Sequence, residues 1–321
     1  MEHPRQDDPV RIGPYRVLAA LDPETARPAV PEHRSIARSA SGDDTVILAV
    51  PRADADPDRW WAEAETARRH TAPGLLGVTW TGRDGRLPWR AAPYVPALPL
   101  PSALDAHGGP LPEPAVRALG AALARTLAAL HDQGAAHAGL SPSAVLITAE
   151  GVRLSAFGAV RAAAPDGERR WGLPGLEPGS LAPEQGSGGR PRPPGDVYGL
   201  GAVLAYASTG HIVPENAELP ASVRGLIAAC LARDPADRPT AHQVHDALAS
   251  AEPSPEPSVP PAGHLPTLLD TAGHLPPLPA RVVVALARQA AEVLAAEAAT
   301  TNGPAAAATM TAPAPPATAL D

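Results

Sequence analysis

Lysine is missing altogether: the 26 basic residues of this 321-residue chain are all arginines. A guanidinium is planar, bulky and permanently charged. It cannot replace a compact ammonium in a narrow phosphate site, nor form a Schiff base. An excess of positive charge is missing too. A formal charge of −8 and a pI near 5.8 leave nothing to neutralise a phosphate backbone, which excludes nucleic acid as a partner. Cysteine is reduced to Cys230, so neither an intrachain disulfide nor a thiolate metal cluster can be built from this chain alone. Cys230 lies in the apolar run 226–231 and reads as a small core residue, in keeping with a reducing cytosol. Long apolar runs are absent as well. Residues 1–8 are polar and acidic, unlike a signal peptide, and 282–298 is interrupted by Arg288, Gln289 and Glu292. The expectation is a cytoplasmic chain without a membrane span.

What is present divides into two styles. From residue 13 to 50 the apolar runs are short and β-rich, with strands predicted over 15–18 and 45–50. A helix is predicted over 57–70, with Asp56 or Asp58 at its N-terminus, and further strands over 76–80 and 89–94 around the Asp84-Gly85 turn. Trp60 and Trp61 are adjacent on that helix and cannot share one stripe. Beyond this the pattern turns helical. Val116, Leu119, Leu123, Leu127 and Leu130 form the broad apolar face of a long helix over 114–133. A flexible N-terminus (1–9), a β-rich lobe (10–97) and a helical lobe (98–250) follow from this change of character. Then come a Pro-rich linker (251–278) that states Ala-Gly-His-Leu-Pro twice, an amphipathic helix (279–299) and a disordered Ala/Pro tail (300–321).

The stretch 130–158 reads LHDQGAAHAGLSPSAVLITAEGVRLSAFG. Farther on stand Ala182-Pro183-Glu184, the run Gly195-Asp196-Val197-Tyr198-Gly199, and Arg233-Asp234-Pro235-Ala236-Asp237-Arg238-Pro239-Thr240. In order and spacing these resemble the motifs of bacterial serine/threonine protein kinases. In that family the catalytic loop reads His-Arg-Asp-Leu-Lys-Pro-x-Asn and the metal motif Asp-Phe-Gly. The resemblance implies an α+β fold with two lobes, a small β-rich N-lobe and a larger helical C-lobe, followed here by a linker and a C-terminal helix. His137, Leu140, Pro142, Phe157 and Gly158 match the motifs. Ala138, Gly139, Ser141, Ala144 and Ala156 stand where the reacting groups would be. The resemblance further implies that Glu184 and Arg238 form a buried ion pair and that Asp196 braces the catalytic loop.

The N-terminal lobe departs further. Residues 21–38 contain no glycine for a phosphate-cradling turn but do contain Pro23, Pro28 and Pro31. The family's strand lysine falls on Ala49 and its helical glutamate on Glu63, which is thereby expected to have lost its partner. A proton acceptor typically supplies about 10²–10⁴-fold in rate, and glycine at 139 has no side chain to supply it. Alanines at 144 and 156 cannot ligate magnesium. The expectation is a pseudokinase that is not an enzyme, needs no cofactor, holds neither ATP nor magnesium, and meets protein partners such as active kinases or signalling proteins. A kinase with residual ATP binding or weak activity and a decayed remnant are the alternatives.

Between Phe157 and Ala182 the only hydroxyl is Ser180, and the neighbouring Arg169-Arg170 reads as a solvated pair. Asp132, Glu150 and Asp166 are the carboxylates nearest to the emptied metal positions. His242 and His245, three apart, read as a solvated helical face.

Overall fold

The computed structural model describes residues 11–22, 30–250 and 278–301. The proline-bearing stretch 23–29, nearly all of the linker with its repeated pentapeptide, and the tail beyond 301 lie outside the described residues.

Among the described residues the N-terminal lobe is a six-stranded antiparallel sheet ordered β1-β2-β3-β4-β6-β5. Its strands are β1 (Arg11–Ile12), β2 (Tyr15–Ala20), β3 (Glu32–Ser39), β4 (Thr45–Pro51), β5 (Trp80–Asp84) and β6 (Leu87–Pro93). Helix α1 (Pro57–Ala67) crosses between β4 and β5. It starts where Asp56 Oδ1 accepts from the amides of Asp58 and Arg59 at 3.0 and 2.9 Å, with proline at the first helical position. Trp60 turns into the core, whereas Trp61 lies half-buried under the Arg83 guanidinium, 4.9 Å from the ring centroid.

Two predicted boundaries are corrected. The strand predicted over 76–80 begins only at Trp80, because the Leu75 and Leu76 backbone is drawn off to Leu154 in the other lobe. Strand β3 falls inside the stretch read as a damaged glycine loop. Its polar sequence hides an alternation in which Glu32, Arg34 and Ile36 are buried, with Ala37 buried beside them.

A second, three-stranded sheet joins the lobes: β7 (Ala97–Pro99), β8 (Val145–Thr148) and β9 (Gly151–Leu154). The remainder is helical, with α2 (Leu100–His107), α3 (Glu113–Asp132), α4 (Ala159–Ala163), α5 (Pro183–Gly186), α6 (Pro193–Thr209), α7 (Ala221–Cys230), α8 (Ala241–Ala249) and α9 (Ala280–Thr301). The five-residue stripe foreseen on α3 is wholly buried. Its first four members pack with Leu200, Val203 and Leu204 of α6 and Val244 and Leu248 of α8 in the largest core cluster, and Leu130 packs with Ala67, Ala72 and Phe157. Gly120 sits where α3 meets α6 and α8, and a Cβ there would meet Leu204 Cδ2 at 2.6 Å and Leu248 Cδ1 at 2.7 Å. Cys230 is buried in the same core, and desolvation pushes its thiol up to about 12, so it is inert. Among the described residues no helix is long and apolar enough to cross a membrane.

Candidate functional site

The cleft is built on three adjacent strands. Ala49 on β4 lies directly opposite Arg34 on β3 and Arg90 on β6, so the three side chains share one face of the sheet. The two guanidiniums flank the methyl group. Buried cations need partners, and both have them. Arg34 is ion-paired with Asp22 and donates to Ser155 Oγ at 2.8 Å. Arg90 donates to Glu32 Oε1 at 2.6 Å, while Glu32 Oε2 accepts from the Trp60 indole at 3.2 Å. Beside them remains a recess of about 20 Å³, room for roughly one water.

Glu63 is not left alone, contrary to the expectation from the missing lysine. Arg161 on α4 donates to it at 2.8 Å and to the Ala136 carbonyl at 3.1 Å. Helix α4 follows directly on Phe157 and Gly158 and packs against α1, so that Ala162 joins Ala49, Trp60 and Ala64 in one small cluster. A cation from the far side of the cleft has taken over the helical glutamate. Gly158, at φ +80°, is pressed against the Glu63 side chain, where no Cβ would fit.

The loop at 137–144 keeps its braces. Asp196 accepts from the His137 and Ala138 amides, both at 2.7 Å, and contacts His131 Nε2 at 2.9 Å. His137 is fully buried, edge-on to Phe157 with ring centroids 5.6 Å apart, and Phe157 is the chain's single phenylalanine. Burial holds its imidazole down at about 4; Asp196 pulls the other way, and Arg161 and Arg90 reinforce the depression. Among the described residues the only non-glycine positions with positive φ are Ala138 and Ala156, at 53° and 60°. Both are in the site, where strained backbone concentrates.

Gly139 decides how much room a side chain would have. A Cβ built on it would collide with the Ala156 carbonyl oxygen and lie 3.0 Å from the Ala159 Cβ. The backbone has moved into the side-chain space. Gly139→Ala is therefore expected to lower the unfolding free energy by about 1–3 kcal/mol in urea titrations, an overpacking cost. An unchanged midpoint would show that the gap opens readily. Ser141, Ala144 and Ala156 are buried, as is Pro142.

Below the cleft, Glu184 accepts from both terminal nitrogens of Arg238 at 2.7 and 2.8 Å, just after Ala182 and Pro183 enter α5. The Arg238 side chain is fully buried and also donates to the carbonyls of Ala232, Pro194 and Arg233. Arg170 corrects the reading of Arg169-Arg170 as a solvated pair. It is completely buried, held by the carbonyls of Ala164, Gln185 and Gly189 and by Asp166. Main-chain acceptors from three segments satisfy it, which no local pattern announces. Asp166 is thus committed to Arg170, Glu150 lies near Arg153, and Asp132 lies near His242. His245 meets the Ala121 carbonyl at 3.0 Å.

The chain is similar in sequence and in fold to known proteins. No protein-family model matches the chain. The probable serine/threonine-protein kinase PkwA of Thermomonospora curvata is 33% identical over 257 residues, covering 73% of this chain and 33% of that protein. The serine/threonine-protein kinase AfsK of Streptomyces coelicolor is 30% identical over 266 residues, covering 76% and 32%. The chain belongs to the bacterial serine/threonine protein kinase family. It spans about a third of the length of these two relatives. The crystal structure of the PknI kinase domain of Mycobacterium tuberculosis superposes with a TM-score of 0.58 at 23% identity, covering 75% of this chain and 97% of that one. That likeness shows the two-lobed kinase fold.

Membership of the kinase family corrects one expectation. The sequence reading that the chain is not an enzyme is overturned at the family level, since relatives 30–33% identical over most of the chain are named serine/threonine-protein kinases. The reading from motifs also missed Arg34, Glu32, Arg90 and Arg161. The one signal for these arginines was the exclusively arginine composition, and it gave no positions.

Proposed function

We propose that this kinase-family chain serves as a regulatory or scaffolding protein-binding module in bacterial signalling, with active kinases or other signalling proteins as partners, and that its cleft takes neither ATP nor magnesium. The observation that carries the reading is the Ala156 carbonyl oxygen lodged where a side chain of residue 139 would project. Ala144 and Ala156 offer no carboxylate or amide to a cation. The guanidiniums that line the site are already matched, Arg34 by Asp22 and Arg90 by Glu32. Leu18, Leu21, Ile47 and Leu146, which border the space an adenine would need, pack against one another. A cytoplasmic location belongs to the same reading, in keeping with a single, buried cysteine.

The test is a thermal melt of the full chain titrated with ATP, with and without magnesium. No shift is expected up to millimolar nucleotide. A ligand at 100 times its Kd would stabilise the chain by about 2.7 kcal/mol, so a saturable rise would refute the reading. So would transfer of labelled phosphate to a protein at a rate abolished by one cleft substitution. In the alternative, a nucleotide held by its phosphates, those phosphates would have to displace Asp22 or Glu32 from the two guanidiniums, and the same titration decides between the readings.

A further inference from the structure

Helix α9 follows the linker and lies across both lobes. Its inward residues, Val282, Leu286, Gln289, Val293 and Glu297, recur at intervals of four, three, four and four, a single stripe along the helix. Each lands on a different part of the domain. Val282 and Leu286 are buried in the C-terminal lobe's main cluster. The Gln289 carboxamide makes a two-way contact with the segment joining the lobes: its Oε1 accepts from the Ala97 amide at 2.9 Å and its Nε2 donates to the Ala97 carbonyl at 2.8 Å. Val293 is buried among Leu18, Leu21, Ile36, Ile47 and Leu146, the cluster at the mouth of the cleft. Glu297 accepts from Thr45 Oγ1 at 3.0 Å and is ion-paired with Arg38, both on the N-terminal sheet. The opposite side of the helix exposes Val283, Val284 and Leu294.

We propose that α9 is the cleft's own ligand, a helix that occupies the mouth with Val293, grips the interlobe strand with Gln289 and pins the two lobes together, so that access to the cleft requires its undocking. Three features make this more than a helix resting on a surface. The contact to Ala97 uses one donor and one acceptor on a planar amide, an arrangement that a simple apolar contact would not need. The helix reaches both lobes, so that closing the cleft and fixing the lobe angle are one event. The apolar stripe it buries would be uncovered together with the mouth, which gives a partner helix or groove two surfaces to compete for. The inference stands apart from the proposed absence of ATP: a docked α9 would gate the cleft whatever the cleft binds.

The test uses the full chain and its single native cysteine, which is buried and has a thiol held at about 12, as a silent background. Val293→Cys and Leu294→Cys are made separately and labelled with a small maleimide under native conditions. Protection reports the opening equilibrium of the segment. The cysteine at 294 should react at the rate of a free thiol and that at 293 at least tenfold more slowly. Adding Gln289→Ala, or the near-isosteric Gln289→Glu that cannot donate to the Ala97 carbonyl, should speed labelling at 293 about tenfold and leave that at 294 unchanged. Equal rates at 293 and 294 in the parent would overturn the docking. Protection at 293 unmoved by both changes at 289 would overturn the grip on the interlobe strand. Labelling of Cys230 reports global unfolding, and a variant that shows it is replaced by Glu297→Gln, which weakens the N-lobe anchor alone and should speed labelling at 293 several-fold; no change there would count against the clamp.

Discussion

Glu184→Leu is expected to lower the unfolding free energy by about 3–5 kcal/mol, the largest single effect anticipated for a side chain outside the apolar core. The reason is the partner it leaves behind. The Arg238 guanidinium is fully buried and stacks 5.0 Å from the Tyr198 ring centroid, and among the described residues Glu184 supplies its only carboxylate. The carbonyls of Ala232, Pro194 and Arg233 solvate it but do not neutralise it. Removing the acid strands a cation where water cannot reach it. Arg238→Met in the Glu184→Leu background removes the stranded charge and should recover part of the loss, although three carbonyls then lose a donor. Urea unfolding of the two single variants and the double variant gives the coupling energy. A loss below about 1 kcal/mol for Glu184→Leu would mean that the pair behaves as an exposed surface bridge. Since α5 and the segment before α8 meet through this pair, the damage should appear as loss of the helical lobe.

Acidification should bring the second large effect, through His137. Its folded-state pKa, about 4, lies below the ordinary histidine value of 6.5 because burial penalises the imidazolium. The unfolded chain therefore binds the proton first. Stability contributed by the neutral ring is fully present above pH 6.5, falls as the pH drops through the interval down to about 4, and changes no further below it. A separation of this size corresponds to about 3 kcal/mol over the whole interval and about 2 kcal/mol by pH 5. Comparing urea midpoints at pH 7 and pH 5 for the parent and for His137→Leu isolates the term, because other titrating groups are common to both. Parallel pH profiles would mean that His137 accepts a proton in the folded state without cost.

The main lines of the fold were legible because they are local or periodic. A five-residue stripe at helical spacing can only be the buried face of α3. Asp56 or Asp58 marked the start of α1, and it is Asp56 that caps it. Motif letters such as Ala182-Pro183-Glu184 gave the order of the helical lobe because their spacing is fixed along the chain. The cleft was legible only by subtraction. Ala49, Gly139, Ala144 and Ala156 told which positions carry no polar side chain, but not what fills the space around them. Arg34 is 121 residues from Ser155, and Arg161 is 98 from Glu63. Such pairs are set by the register of β3 against β4 and by the path of α4, which no window of sequence contains. Arg170 failed for the same reason: its acceptors are carbonyls, and every residue has one.

What the sequence determined by itself is chemical identity. A chain without lysine, with alanine at 144 and 156 and glycine at 139, has a defined inventory of groups that no folding can enlarge. What only the tertiary structure decided is where the remaining charges and one remote helix come to rest. A buried guanidinium must find acceptors, and an apolar stripe must find a groove. Those demands are met by distant segments, so Arg34, Arg90 and Val293 acquired their places in the cleft only when the lobes and α9 packed together.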